Sequence, residues 1–354
     1  MKLSFSWLDN PIRKIDQKAL QSASSHLQQL TKPPGSLGEL ESVVIRLASM
    51  QGKKNPQLED INITIFAADH GVAEENVSAF PQSVTLEMIR NFSAGGAAIC
   101  VIAKELNANL DVINLGTVGE LEPLQGVKDC RLGCGTKNFA VQEAMSQEQL
   151  NAALTIGSDV AGKAKASGVD LFIGGEMGIA NTTSATAMTA VLLKLNPAEI
   201  TGAGTGLDEK GIKHKVKIIE QALSLHVGKN KLQTLDILRC LGGFEIAALC
   251  GAYIRCGQEG TPILVDGFIT SVAALLACEI QPSLRDWLIF SHESAEPGHK
   301  LVLQALQAES LLSLGMRLGE GSGAGVTVPL LRMACALHNN MATFSDADVA
   351  EKVR

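Results

Sequence analysis

The carboxylate best placed for chemistry is Glu320, set in Met316-Arg317-Leu318-Gly319-Glu320-Gly321-Ser322-Gly323-Ala324-Gly325, a stretch with four glycines. Glycine adds no side chain to crowd a ligand and tolerates positive φ, so a small molecule can approach both the peptide and the acid. An acid presented in this way is a candidate general base; the competing reading is a surface turn that carries a Glu. A second acid, Glu176, sits in Gly174-Gly175-Glu176-Met177-Gly178, and Asn181, Thr182 and Thr183 then open a helical stretch. Amides and hydroxyls at a helix N-terminus bind anions, and a Glu raised on glycines faces the same ligand. The alternative is that Asn181 and the threonines only cap the helix.

A third glycine-rich stretch, Gly202-Ala203-Gly204-Thr205-Gly206-Leu207-Asp208, precedes Lys210, Lys213, Lys215 and Lys217. Bare N–H groups and a lysine suit one phosphate, while a plain connecting loop with a solvated lysine face explains the stretch equally well. No Gly-Lys-Ser/Thr follows, and there is no G-x-G-x-x-G dinucleotide fingerprint. Ser291-His292-Glu293 suggests a hydrolase. However, Ser291 lacks the G-x-S-x-G elbow, and Ser322 has Glu320 where the elbow's first glycine belongs. The seven histidines show no metal-ligand spacing, and Asp69-His70 reads as a strand-end pair, so neither a metal nor another cofactor is expected.

The bulk numbers narrow the field. A net charge of -7 leaves no electrostatic footprint for nucleic acid. The eight cysteines lie scattered without a Cys-x-x-Cys, which points to reduced, buried thiols. The longest uncharged run, Met177 to Leu193, holds Asn181 and several hydroxyl residues and is not a membrane span. The apolar patch in Met1 to Pro11 is too short for a signal peptide, so a soluble, cytoplasmic protein is expected.

These residues need a scaffold. Residues 1–60 read as helical, with Asp16 capping a helix to about Leu30. Thr31-Lys32-Pro33-Pro34-Gly35 makes a turn, and Ser36 with Glu39 forms a capping box for the next helix. From Ile61 onward, short apolar runs alternate with helical stretches. Ile61 to Ala68 ends at Asp69-His70-Gly71, Leu110 to Leu115 at Gly116-Thr117, and Val169 to Ile173 at the glycines before Glu176. Pro262 to Val265 ends at Asp266-Gly267, and Trp287 to Phe290 at Ser291. Such runs suit strands buried on both faces, which implies a Rossmann-like α/β fold, a mostly parallel sheet covered by helices. Ligands bind beyond the carboxyl ends of such strands, where this chain places its Gly, Asp, Glu and Ser. Helices are expected over Thr182 to Leu195, Gly243 to Tyr253, Ser271 to Cys278 and Leu301 to Leu314, with a short polar helix or frayed end at Asp346 to Arg354. Aromatics make up only 4%, so the core is built from small aliphatic side chains that allow close helix-to-sheet packing.

Taken together, these motifs resemble those of nicotinate-nucleotide:dimethylbenzimidazole phosphoribosyltransferases. The matching segments are Lys32-Pro33-Pro34-Gly35-Ser36-Leu37-Gly38, Ala68-Asp69-His70-Gly71-Val72, Gly175 to Thr183, Gly242-Gly243-Phe244-Glu245, Asp266-Gly267-Phe268, Ser291 to Glu296 and Arg317 to Gly323. They occur in the family's order and span nearly the whole chain. The resemblance implies a Rossmann-like catalytic domain (61–330), a smaller helical domain from residues 1–60 plus the C-terminal helices, and a homodimer. It implies transfer of ribose phosphate from nicotinate mononucleotide to 5,6-dimethylbenzimidazole, with inversion at the anomeric carbon. By position, Glu320 matches the general base and Glu176 a second carboxylate in the pocket. Gly178, Asn181, Thr182, Gly202, Gly204, Lys215, Asp266 and Ser291 fall at or near the nucleotide and phosphate. Phe80, Gln82, Met88 and Leu318 fall around the aromatic base. The departing pyridine ring is neutral, which agrees with the lack of any metal motif or acidic pyrophosphate-binding pair. Leu318 beside Glu320 is expected to desolvate the acid. Phe80 and Met88 leave the acceptor base open, and a non-catalytic nucleotide-binding module or a nucleotide N-glycosidase are the rival readings.

Overall fold

The structure, a computed structural model, describes residues 7–228 and 232–350; parts of the expectations for Met1 to Pro11 and for Asp346 to Arg354 lie outside these residues. Helix α1 (Gln17–Gln29) is capped by Asp16, which accepts from Ala19 N at 2.9 Å. Helix α2 (Glu39–Gln51) does not begin with the expected capping box: its N-cap is Gly38, which makes no side-chain cap bond. Gly35 and Gly38, both at positive φ, fold the connector back over the helix, so Glu41 becomes the acceptor instead. Its carboxylate takes Lys32 Nζ at 2.7 Å, Leu37 N at 3.0 Å and Gly35 N at 3.2 Å.

The rest runs as β1 (Ile61–Ala68), α3 (Ser83–Ser93), α4 (Ala98–Leu106), β2 (Asn109–Gly116), β3 (Val127–Asp129), α5 (Gln147–Ala166), β4 (Leu171–Met177), α6 (Asn181–Leu193), α7 (Pro197–Ile200) and α8 (Glu209–His226). It continues through α9 (Thr234–Leu241), α10 (Phe244–Glu259), β5 (Ile263–Val265), α11 (Phe268–Ile280), β6 (Leu288–His292), α12 (Pro297–Ala305), β7 (Ser310–Leu312) and α13 (Ser322–Asn340). The strands form one parallel sheet of seven in the order β3-β2-β1-β4-β5-β6-β7. Every residue of β1 is buried, as its unbroken apolar run requires for a central strand covered on both faces.

The five expected strands are present, and two were not foreseen. β3 and β7 are three-residue edge strands, too short to show a period. β7 also corrects the helix expected over Leu301 to Leu314. There α12 stops at Ala305, Gln307 adopts a left-handed φ of 51°, and Ser310 pairs with Phe290 of β6. At the C-terminal tail, residues 344–348 form turns rather than a helix. The longest apolar helical stretch, 83–106, is α3 and α4 separated by a turn with Gly95 at φ 77°, not one continuous span.

Small residues allow the close packing that the composition suggested. A Cβ on Gly157 of α5 would collide with the Ala248 carbonyl of α10, and one on Gly251 of α10 with the Leu154 carbonyl of α5. The two helices thus touch backbone to backbone. The chain ends also meet: Leu30 bridges Thr343, Thr31 N donates to the Ala342 carbonyl at 3.0 Å, and α2 packs on α13. α13 runs without a break from the sheet's carboxyl edge to these chain ends, straight through residue 330.

Candidate active site

At the carboxyl ends of the parallel strands lies a cavity of about 310 Å³. It straddles the point where strand order reverses between β1 and β4, the place where open α/β sheets bind ligands. Glu176 enters from β4, Asp266 from the end of β5, His292 from β6, and Arg317 to Glu320 from the loop between β7 and α13. Phe80, Val84 and Met88 close one side from the segment after β1, and Gly204 and Thr205 close another.

Glu176 is 6% exposed, and Asn181 Nδ2, at the start of α6, donates to its Oε2. Burial, with Glu245 and then Asp266 and Glu320 adding repulsion against the Asn181 bond, pushes its carboxyl up to about 8. Burial thus favours the neutral form of Glu176 at neutral pH, and its second oxygen, Oε1, faces Gly319. The fit there is close: a Cβ on Gly319 would collide with Glu176 Oε1, and one on Gly175 would lie 2.5 Å from the Glu320 carbonyl. The Glu320 amide also donates to the Glu176 carbonyl at 3.3 Å. The two acids thus come from sequence segments pressed together backbone to backbone.

Glu320 sits in a left-handed run, Gly319 at φ 89°, Glu320 at 63° and Gly321 at 80°. This turn directs its 5%-exposed carboxylate toward α4, where Oε2 accepts from Ile99 N at 3.5 Å. Burial raises the pKa of Glu320, and the Ile99 amide at the helix N-terminus opposes that rise. Leu318 does not supply the desolvation expected of it. It is 58% exposed at the cavity mouth, where Phe80 is likewise 51% exposed. Asp266 accepts from Ala324 N at 2.8 Å, capping α13 from outside, and lies 3.7 Å from His292 Nε2. Burial raises its pKa, opposed first by His292.

Of the residues singled out in the sequence, the cavity brings together Glu320, Glu176, Gly178, Asn181, Thr182, Gly204, Asp266, Phe80, Met88 and Leu318. Four others stand outside its lining. Gln82 turns away, donating to the His70 carbonyl at 2.8 Å. Gly202 packs on Glu296, where a Cβ would collide with Oε2. Lys215 is fully buried behind the wall and donates to Thr182 Oγ1 at 2.8 Å, its pKa lowered to about 8 by burial. Ser291 is buried in β6 with its Oγ donating to the Asp266 carbonyl at 3.2 Å, whereas Ser294, three residues on, lines the cavity. Among the described residues no group of three or more His, Cys, Asp or Glu is arranged to hold a metal ion.

A phosphoribosyltransferase family model matches residues 12–349. The nicotinate-nucleotide–dimethylbenzimidazole phosphoribosyltransferase of Pseudomonas putida KT2440 is 56% identical over 347 residues, covering 98% of this chain and 99% of that protein. Its namesake in Azotobacter vinelandii is 54% identical over 353 residues, with 99% and 100% covered. This chain belongs to that family. A crystal structure of the phosphoribosyltransferase of the same name from Thermus thermophilus superposes with a TM-score of 0.89 at 41% identity, covering 96% of this chain and 100% of that one. Within this phosphoribosyltransferase, reading the sequence alone left Arg317, Glu296 and Ser294 without roles although all three line the cavity. Their signal was present, since Ser294 and Glu296 follow a strand end and Arg317 precedes the glycine-rich acid. Polar residues there are common, however, and only the fold shows which of them turn inward.

Proposed function

We propose that this phosphoribosyltransferase moves ribose 5-phosphate from nicotinate mononucleotide to 5,6-dimethylbenzimidazole or a related flat heterocycle, giving the α-nucleotide and nicotinate for the cobalamin nucleotide loop. The observation that carries this reading is the pair of buried carboxyls, Glu176 and Glu320, that abutting glycine-rich segments bring to one cavity. With burial favouring the neutral form of Glu176, Glu320, whose Oε2 is met by the Ile99 amide, is the acid left to act as base. In the reaction the glycosidic C–N bond breaks, and its electron pair returns to the pyridine nitrogen, so nicotinate departs with a neutral ring. One nitrogen of the incoming base attacks the opposite face of the anomeric carbon, while Glu320 takes the N–H proton from the other. Phe80 and Leu318, apolar and exposed at the mouth, supply faces for a flat ring. The half-buried thioether of Met88, on the same wall, is soft enough to accept bases of several shapes.

Thr182 and Gly204, backed by the buried Lys215 that donates to Thr182, form the side suited to the phosphate. Arg317 Nη1 reaches the Gly204 carbonyl at 3.5 Å, adding positive charge there. The decisive experiment is nicotinate release from nicotinate mononucleotide with and without an aromatic base. Release only with base supports transfer, base-independent release identifies a hydrolase, and none identifies a binder. In the same assay Glu320→Gln is expected to fold and to lose turnover by about 100-fold to 10,000-fold; full activity would remove Glu320 from the mechanism.

The coarser expectations extend to the whole molecule. We take the protein to be cytoplasmic, in keeping with eight free cysteines. We take it to be a homodimer, supported by the exposed apolar residues Val326 and Met333 along α13, which light scattering in solution would test. The division into 61–330 and a helical unit from both chain ends is likewise a proposal, with α13 shared between the two.

A further inference from the structure

We propose that His299 is a positioning residue for the nucleotide side of this pocket, fixing the Ser294–Glu296 turn and, through Glu296, the glycine-rich loop at Gly204. The proposal rests on the reading that a nucleotide binds there. His299 lies on α12, fully buried, behind the cavity wall rather than in it. Its Nδ1 accepts from Ser294 N at 2.7 Å. A backbone N–H only donates, so Nδ1 carries no hydrogen and Nε2 does. Nε2 then donates to Ser271 Oγ of α11, 2.9 Å away. One imidazole in one tautomer therefore ties together α11, α12 and the turn that follows β6. Burial, reinforced by the neighbouring His292, depresses the ring's pKa to about 3, so it stays neutral throughout the working range.

The tie continues outward from the ring. Ser294 Oγ accepts from Glu296 N at 3.4 Å, and Glu296 Oε1 accepts from Gly204 N at 3.1 Å. Ser294, Glu296 and Gly204 all line the cavity, while His299 does not. The catalytic acids are held by other means, Glu176 by Asn181 and Glu320 by the start of α4. Loss of the His299 acceptor would strand a buried N–H at Ser294 and loosen only the nucleotide side.

Two variants separate this role from plain packing. His299→Leu fills the space without an acceptor, and His299→Asn keeps an acceptor at the Nδ1 position. Full-length proteins are compared by steady-state kinetics and by calorimetric titration with nicotinate mononucleotide. His299→Leu is expected to raise the nucleotide KM and Kd by about tenfold, with kcat and the KM for the acceptor base unchanged, and His299→Asn to restore most of the affinity. Unchanged nucleotide affinity in His299→Leu, equal losses in the two variants, or a fall in kcat alone would overturn the assignment. Should His299→Leu fail to melt cooperatively, His299→Asn and Ser271→Ala decide the matter. Ser271→Ala frees one side of the ring and is expected to weaken nucleotide binding, and an indifferent Ser271→Ala overturns the proposal. A wild-type protein that neither binds nor turns over the nucleotide sinks the functional reading itself; an active wild type with an indifferent His299→Leu sinks only this one.

Discussion

Replacing Glu176 by Gln tests whether the cavity holds one acid neutral. Glutamine keeps an oxygen for Asn181 to donate to and carries no charge at any pH, so it copies the neutral side chain. In the folded protein Glu176 titrates at about 8 against an ordinary 4.5, with burial as the main cause. Between those pH values the folded protein retains a proton that the unfolded chain has lost, so the contribution of Glu176 to stability is full at acid pH and falls as pH rises. Moving the midpoint that far corresponds to roughly 5 kcal/mol lost by pH 8. Glu176→Gln escapes this loss. Urea denaturation of both proteins between pH 5 and 8.5 should show near-equal stability at the acid end and a growing advantage for the variant toward the alkaline end. Lys215 titrates in the same window but is common to both proteins and cancels in the difference. A stability difference that does not change with pH would mean that Glu176 is already ionised in the fold, and the division of roles between the two acids would fail with it.

Three further outcomes are expected. Gly319→Ala forces a Cβ into Glu176 Oε1 at a φ of 89°, so it should abolish turnover and lower stability by about 1–3 kcal/mol, read by assay and melting together. Lys215→Met should weaken nicotinate mononucleotide binding. The wild type's affinity should also fall as pH rises through about 8, where Lys215 loses its proton, and titration calorimetry on the variant should show a smaller fall, the remainder coming from Glu176 in the same cavity. At the N-terminal connector, Glu41→Ala should cost about 1–3 kcal/mol because it strands Lys32 and two backbone amides. Glu39→Ala, on an exposed residue, should stay within about 0.5 kcal/mol of wild type in the same denaturation series.

The central strands were legible in the sequence because burial on both faces leaves unbroken apolar runs such as Ile61 to Ala68. The two edge strands were not, since three residues at the rim carry no pattern of their own. Glu320, Glu176, Asn181 and Thr182 stood out because glycines or helix-start residues surround them, and those local signals reflect how the backbone must bend to present a side chain. Direction was harder to read. Ser291 and Ser294 are both hydroxyls beside the same strand end, and only the path of the chain after β6 turns one into the sheet and the other into the cavity. His299 illustrates a related limit, because a buried residue behind a wall resembles an ordinary core residue until its partners are in place. Leu318 shows the reverse case, as sequence proximity to Glu320 implied shielding that a rim position does not give.

The left-handed turn at Glu320 has an evolutionary consequence. A non-glycine residue there carries about 1 kcal/mol of backbone strain that glycine would not, and both glutamate codons become glycine codons by a single base change. The simplest mutation at this site therefore relaxes the chain and silences it at once. Demand for the product is then what holds a glutamate at a position whose backbone favours glycine.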